Sequence, residues 1–298
     1  MKYFDLIGKS KIWLSFSSLL VVASIVCIAV FGLNFGIDFT GGSLFEVEFE
    51  SAAELSEMRF AFSDLGYDAV VQQGEGNLFV ARTAPLTREE HDVITAGLEE
   101  RFGAFEEHRF ESIGPIIGDE LKRKSVVAVI LLLVLIVFYV AWAFRRVSKP
   151  IASWKYGLLT IVAALHDVII PLGIFAVLGS VLGFQIDTAF VAAMLTILGY
   201  SINDTIVVFD RTRENLMVNR HSDAPFSEVV NKSVMQSFAR SINTSITTLF
   251  VLLAIFFFGG GTTRSFMLAL ILGVISGAYS SIFVASPLLV LWEKLGKK

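Results

Sequence analysis

Three stretches of this chain, residues 12–33, 125–144 and 267–289, contain no charged side chain. Each is at least as long as the roughly 20 residues a helix needs to cross the hydrocarbon of a bilayer. A water-soluble core has no place for three such runs, so they constrain the chain to a membrane before anything else is read. Three further runs are apolar but carry polar residues: 157–178 contains His166 and Asp167, 188–209 contains Asn203 and Asp204, and 241–258 is rich in Ser and Thr. The expectation is a polytopic α-helical membrane protein with six transmembrane helices. Composition agrees: of 298 residues, 54% are hydrophobic and 17% charged, where an ordinary soluble domain has about 25% charged. The mean hydropathy is +0.69.

Charge is distributed unevenly. Residues 34–124 hold 8 Lys and Arg against 19 Asp and Glu, so this block carries −11 and the remainder +7. The one soluble-looking block would repel phosphates, which excludes a nucleic-acid-binding surface. Fifteen basic residues fall at the termini and in two short loops: Lys2, Lys9, Lys11; Arg145, Arg146, Lys149, Lys155; Arg211, Arg213, Arg220, Lys232, Arg240; Lys294, Lys297 and Lys298. By the positive-inside rule both termini are expected in the cytoplasm and the acidic block outside it. Lys122, Arg123 and Lys124 run against this, but a long block translocates largely regardless of its charge. The first apolar run is long and lacks a small-residue cleavage site, so it reads as an uncleaved anchor. The expected domains are 1–33, cytoplasmic N-terminus and first helix; 34–124, an external α+β domain; and 125–298, the remaining five helices. The lone Cys27 cannot form an intramolecular disulfide and reads as packing.

The external block has a legible pattern. Residues 43–50 alternate apolar side chains with acids, as a half-buried strand would. Ser51 and Glu54 match a capping box opening a helix with Leu55, Met58, Phe62 and Leu65 on one face and Gly66 as its stop. Residues 68–73 and 77–83 read as strands joined by a glycine-containing turn. Thr87 and Glu90 form a second capping box ahead of Ile94, Leu98 and Phe102, with Gly103 at the end, and 105–113 reads as a last strand. The order βαββαβ predicts a ferredoxin-like fold.

An ionisable side chain at the bilayer centre costs from about 2.5 to more than 10 kcal/mol, so each one needs a reason. His166 and Asp167 lie near the midplane of the third span, roughly 15 Å in at 1.5 Å per residue. Four residues on, Pro171 cannot donate to the carbonyl of Asp167. A hydrated functional site and a structural interhelical hydrogen bond are both open readings of this pair. Asp204 interrupts an aliphatic helix and is the strongest candidate for moving a proton. Arg240, Thr244, Thr247, Thr248 and Val251 recur at helical spacing, a polar stripe expected to face other helices. Arg240 enters from the same side and to similar depth as Asp204, so the two could pair; a proton relay at Asp204 and a static salt bridge are the competing readings. In the sixth span Ala269, Gly273, Gly277, Ser281 and Ala285 repeat every four residues, a stripe for close helix packing. The sequence has no phosphate-binding loop and no Cys/His metal pattern, so no cofactor, metal or bound ATP is expected.

Four motifs together are specific: Asp38-Phe39-Thr40-Gly41-Gly42 after the first span, His166-Asp167 in the third, Gly199 to Arg211 in the fourth with Asn203-Asp204 at its centre, and Arg213-Glu214-Asn215 after it. They resemble the SecF subunits of the bacterial Sec protein-export machinery, in the SecD/SecF family of the RND superfamily, over nearly the whole chain. The resemblance implies half of an RND-type transporter, the other half being SecD, in the bacterial cytoplasmic (inner) membrane. It implies a non-enzymatic auxiliary that uses the proton-motive force to draw unfolded polypeptide through SecYEG, with YajC as a further partner. It also implies that Asp204, Asn203 and Arg240 belong to the proton path. Pro171 stands where the family motif would have Thr. One charge crossing the membrane potential releases about 2.3 kcal/mol per 100 mV, enough to bias a two-state domain motion. Two other classes share some features. An RND-type exporter half for small molecules or lipids would have the same architecture, but its external domain would offer an apolar pocket. An intramembrane aspartyl protease could use Asp167 and Asp204, but no GxGD motif precedes either.

Overall fold

The computed structural model describes residues 4–74, 76–144, 151–218 and 224–296. Lys2, Arg145, Arg146, Lys149, Arg220, Lys297 and Lys298 of the orientation pattern, and His221, lie outside them. In chain order the elements are α1 (Ser10–Phe31), the single turn α2 (Ile37–Thr40), β1 (Gly42–Phe49), α3 (Leu55–Asp64), β2 (Val70–Gln73), β3 (Leu78–Thr83), α4 (Arg88–Phe102), β4 (Phe105–Ile113), α5 (Pro115–Ala143), α6 (Ser153–Leu182), α7 (Thr188–Val218), α8 (Phe226–Phe258), α9 (Gly261–Ser280), a π-helical turn (Ser281–Ala285) and α10 (Ser286–Leu295). The described residues divide into two units: Asn34–Val127 with Gln185–Thr188, and the rest.

The helical unit contains the six expected spans, the last running through α9, the π turn and α10. Several helices outrun their apolar stretch. α8 begins at Phe226 where the sequence placed its span at 241, because hydropathy marks only the part of a helix suited to lipid while backbone hydrogen bonding continues into polar sequence. Tyr156 lies at the centre of the core, its ring stacked on Phe144 at 5.2 Å and edge-on to Phe209 at 5.3 Å. Around these pack Val140, Val230, Val234, Ile282 and Leu289. Outward positions are apolar too, as on α5, where Ile130, Leu131, Leu135 and Phe138 are all more than half exposed. That is the surface a helix turns to lipid. α1 and α6 meet at Gly173, where a Cβ would lie 2.4 Å from the Cβ of Ser24.

The α+β unit has one antiparallel sheet of order β2-β3-β1-β4, and β1-α3-β2-β3-α4-β4 is the element order read from the sequence. Phe45, Val47 and Phe49 of central β1, with Val71, Phe79 and Ala81, form an apolar core with Met58, Phe62, Ile94 and Leu98 of the two helices. The reading of β1 as half-exposed is corrected: Leu44 and Glu46 on its other face are also buried, because Arg82 and Arg109 of the flanking strands stand opposite them. The ladder with β4 slips between Glu46 and Val47, leaving His108 as the extra residue of a bulge.

The Thr87 capping box forms in both directions, Glu90 N–H donating to Thr87 Oγ1 at 3.3 Å and Thr87 N–H to Glu90 Oε2 at 2.8 Å. The one expected at Ser51 does not. α3 starts at Leu55 with Glu54 as an N-cap whose side chain makes no capping bond, while Ser51 Oγ donates to Phe102 O at 2.9 Å.

The Asp38-Phe39-Thr40-Gly41-Gly42 motif is a tight connector within this unit. Asp38 Oδ2 accepts from the backbone N–H of Thr188 at 2.7 Å and from its hydroxyl, capping the free N–H groups at the start of α7. Both glycines have positive φ, +72° at Gly41 and +134° at Gly42. A Cβ on Gly41 would lie 3.0 Å from the Cα of Pro115, and one on Gly42 would lie 2.8 Å from the carbonyl oxygen of Thr83. The second contact is with backbone and cannot relax by a rotamer change.

Candidate functional site

The polar residues of the helical unit gather where α6, α7, α8 and the end of α9 meet. Gly273 and Gly277 make that meeting possible: a Cβ on Gly273 would strike the side chain of Ile197, and one on Gly277 would lie 2.9 Å from the Cβ of Ser201. The small-residue stripe therefore brings α9 against α7. Only at that separation can a side chain as short as serine reach across.

Two carboxylates lie in this seam. Asp167 is fully buried. Its Oδ1 is 2.9 Å from His166 Nδ1, and its Oδ2 accepts from Ser280 Oγ at 2.7 Å and from Ser201 Oγ. Asp204, three residues beyond Ser201 on α7, accepts from Ser241 Oγ of α8 at 2.5 Å and from Ser281 Oγ. No hydrogen bond joins the two carboxylates directly. They have separate sets of donors, unlike the shared-proton dyad an aspartyl protease needs. Consecutive residues Ser280 and Ser281 thus serve one carboxylate each, where the last span opens from α to π geometry. Pro287 has no N–H to offer the carbonyl four residues earlier, at Phe283, so the wider turn falls where the α-helical ladder is already broken.

The seam continues on both sides. Tyr200 Oη donates to Ser245 Oγ at 3.4 Å, one turn of α7 before Asp204. The Tyr279 ring is stacked 6.0 Å from His166, and its hydroxyl accepts from Ser17 Oγ at 3.0 Å. With Asp167 ionised, Nδ1 of His166 must carry the hydrogen it donates. Its Nε2 is then buried without a hydrogen-bond partner among the described residues.

The structure brings His166, Asp167 and Asp204 into one seam and leaves Asn203 and Arg240 out of it. Both are exposed on the surface of this chain, and no ion pair joins Arg240 to Asp204, whose hydrogen bonds among the described residues come from serines. The pairing that the sequence left open does not form here, for a simple reason. Positions 240 and 241 leave the helix about 100° apart, and it is Ser241 that turns toward Asp204. The α8 stripe divides the same way: Ser241 and Ser245 face inward, while Arg240, Asn243, Thr244 and Thr247 are exposed. Thr244 and Thr247 satisfy their hydroxyls on their own helix, donating to Arg240 O at 2.9 Å and Asn243 O at 3.0 Å. Beyond the seam, Asn215 Nδ2 donates to Ser233 Oγ and Gln236 Oε1, both at 2.8 Å, tying the end of α7 to α8. The sequence reading missed Ser201 and Ser280. Their signal was a hydroxyl three residues from Asp204 and a second serine beside one already placed in the packing stripe.

A carboxylate whose partners are hydroxyls has both protonation states open, because a hydroxyl donates to the ionised form and accepts from the acid. A carboxylate beside a fixed guanidinium is instead biased toward its ionised form, since Arg stays charged.

Comparison with known proteins bears on this arrangement. The family model described as "Protein export membrane protein SecD/SecF, C-terminal" matches residues 93–295, and the "SecD/SecF GG Motif" matches residues 28–53, which contain Asp38 to Gly42. The chain is 43% identical over 290 residues to the protein translocase subunit SecF of Thermobaculum terrenum, covering 93% of this chain and 90% of that protein. It is 39% identical over 291 residues to the protein translocase subunit SecDF of Thermus thermophilus, covering 93% of this chain and 37% of that longer protein. The crystal structure of SecDF from Thermus thermophilus, described as a translocon-associated membrane protein, matches with a TM-score of 0.86 at 36% identity over 98% of this chain and 39% of that one. By matched length, by identity and by fold, the chain belongs to the SecD/SecF family of protein-export membrane proteins.

Proposed function

We propose that this chain is an auxiliary subunit of Sec-dependent protein translocation that couples proton movement at Asp204 to polypeptide export. The observation that carries the coupling is the partner set of Asp204: serine hydroxyls from two helices, Ser241 and Ser281, and no cation among the described residues. A static salt bridge would require the cation; a proton-exchanging group does not. The role is binding and movement rather than covalent chemistry. The chain acts as one half of an RND-type assembly in the inner membrane, with both termini cytoplasmic and residues 34–124 forming an external ferredoxin-like domain. A reporter inserted at Gly76 therefore reads as external, and a cytoplasmic signal there contradicts the orientation.

The other half is a SecD moiety, as the single-chain SecDF relative suggests. The exposed polar face of α7 and α8, with Asn203, Arg240, Asn243, Thr244 and Thr247, supports this. Polar side chains repeated along one face of a span, as Asn243, Thr244 and Thr247 are, suit contact with another helix better than contact with lipid. Arg240 and Asn203 then act in the proton path from that interface rather than by direct contact with Asp204. SecYEG and YajC complete the proposed set of partners.

The test is polypeptide translocation into inverted membrane vesicles at matched levels of the SecD-containing complex. Asp204→Asn keeps shape and hydrogen bonding but cannot release a proton, so translocation continues at its unstimulated rate while the stimulation by the proton-motive force is lost. Full stimulation in Asp204→Asn refutes the coupling.

A further inference from the structure

Ser280 and Ser281 each hold two acceptors. Ser280 Oγ donates to Asp167 Oδ2 and also lies 3.3 Å from Gly277 O; Ser281 Oγ donates to Asp204 Oδ2 and lies 3.3 Å from Ala278 O. Each hydroxyl can therefore swing its hydrogen from a carboxylate to a backbone carbonyl without leaving its rotamer or losing a hydrogen bond. The carboxylates are also linked through α7, because Ser201, one turn before Asp204, donates to Asp167. Beside Asp167, His166 is 5% exposed and its Nε2 has no hydrogen-bond partner among the described residues. A buried polar atom without a partner normally costs about 1–3 kcal/mol and calls for an explanation.

The α-to-π transition falls on the same two serines, and single π turns occur often at functional sites. Four independent features thus coincide: paired hydroxyls with alternative acceptors, a second buried carboxylate, an unpartnered imidazole nitrogen and a break in helix geometry.

We infer that Asp167 with His166 is a second proton station, and that Ser280 and Ser281 are the positioning residues that make it respond to the protonation of Asp204. This rests on the proposed coupling role of Asp204. When a proton binds Asp204, the new O–H needs an acceptor. Ser281 turns its own hydrogen to Ala278 O and offers its oxygen. The same exchange at Ser280, with Gly277 O as the alternative acceptor, serves Asp167. His166 Nε2 is the further atom on which a proton can rest. Each step makes one O–H or N–H bond and breaks another, with the proton entering from water on one side and leaving to water on the other. The charged or titratable groups around the seam are few. On Asp167 they are His166, with Ser201 and Ser280 as neutral donors and the Tyr279 ring over the imidazole. On Asp204 the neighbours are Ser241 and Ser281, with Arg240 turned away on α8.

The full chain with its SecD-type partner, reconstituted in proteoliposomes and labelled with 13C at aspartate carboxyl carbons, permits infrared titration of the Asp204 band, assigned by its disappearance in Asp204→Asn. In Asp167→Asn, which keeps the shape of the side chain, the Asp204 midpoint shifts by about one pH unit or more, the scale of a lost charge or hydrogen-bond partner in such a cluster. In Ser280→Ala/Ser281→Ala the effect of Asp167→Asn on Asp204 disappears; in Ser280→Thr/Ser281→Thr, which keeps both hydroxyls, it remains. The pH profile of stimulated translocation moves with the same variants, whereas a purely structural role would lower the rate evenly at every pH.

An Asp204 midpoint indifferent to Asp167→Asn overturns the inference, even if the serine variants fail to assemble. So does coupling that survives the loss of both hydroxyls. If Asp204→Asn retains full stimulation, the functional reading fails instead, whatever the spectra show. If Asp204→Asn abolishes stimulation while the midpoints remain independent, only the second station fails.

Discussion

His108 and His166 each lie within 3 Å of a carboxylate, 2.8 Å from Glu48 in the α+β unit and 2.9 Å from Asp167 in the helical one. Their surroundings differ in every other respect. The His108 side chain is 34% exposed, can reach Glu106 as well, and occupies a bulge at the sheet edge. His166 is buried against a fully buried carboxylate whose remaining partners are serines. Water screens the first pair and supplies alternatives to every lost contact. The second has only what the helices bring. In the α+β unit apolar patterning determines structure and charges decorate it. In the helical unit most positions within the spans are apolar, and a handful of short polar side chains carry the specificity.

The largest break in this contrast comes from removing the close approach that brings serines to carboxylates. Gly277→Leu inserts a branched side chain where even a Cβ would be 2.9 Å from Ser201, and overpacking of this kind costs about 1–3 kcal/mol or more. The expected result is a lower yield of folded protein and of SecD complex in mild detergent, with β4 hydrogen exchange in the α+β unit unchanged. An unchanged yield means that α9 does not depend on this contact.

A mid-sized effect separates the two apparent capping boxes. Thr87→Ala removes a reciprocal cap and costs about 1 kcal/mol. Ser51→Ala removes a single exposed hydrogen bond and stays within about 0.5 kcal/mol. Amide exchange at the first turns of α4 and α3 reports both, and an equal cost would contradict the assignment.

The smallest effect is a pH dependence. The hydrogen bond to Glu48 raises the pKa of His108 above its usual 6.5. A raised folded-state value means that the pair contributes stability below the unfolded pKa and loses it as pH rises through the folded one. His108→Gln therefore costs no more than a few tenths of a kcal/mol, as is usual for exposed pairs, and only in mildly acidic solution. Exchange at β4 amides that is slower in wild type than in the variant at acidic pH, and equal in both at alkaline pH, fits this. A constant difference at every pH does not.

What could be read in the sequence follows the same division. The Thr87 box was legible because both partners are local. The Ser51 box was misleading because a residue far along the chain, Phe102, supplies the competing acceptor. In the helical unit Asp167, His166 and Asp204 stand out as ionisable groups in apolar runs. Their serine partners do not, since Ser is common in such helices and only the rotation of each helix decides which hydroxyl points inward. One residue of rotation is the difference between Arg240 on the outside and Ser241 on Asp204. The alternation of β1 was visible, but not that its second face would be covered by Arg82 and Arg109.

The central claim is that Asp204, held by hydroxyls and not by a cation, takes up and releases a proton as polypeptide moves. Proton flux into proteoliposomes containing the reconstituted complex, followed with an entrapped pH-sensitive dye under an imposed potential and during translocation, tests it directly. The account predicts potential-dependent flux in the wild type and none above background in Asp204→Asn at equal amounts of assembled complex; undiminished flux in Asp204→Asn would contradict it.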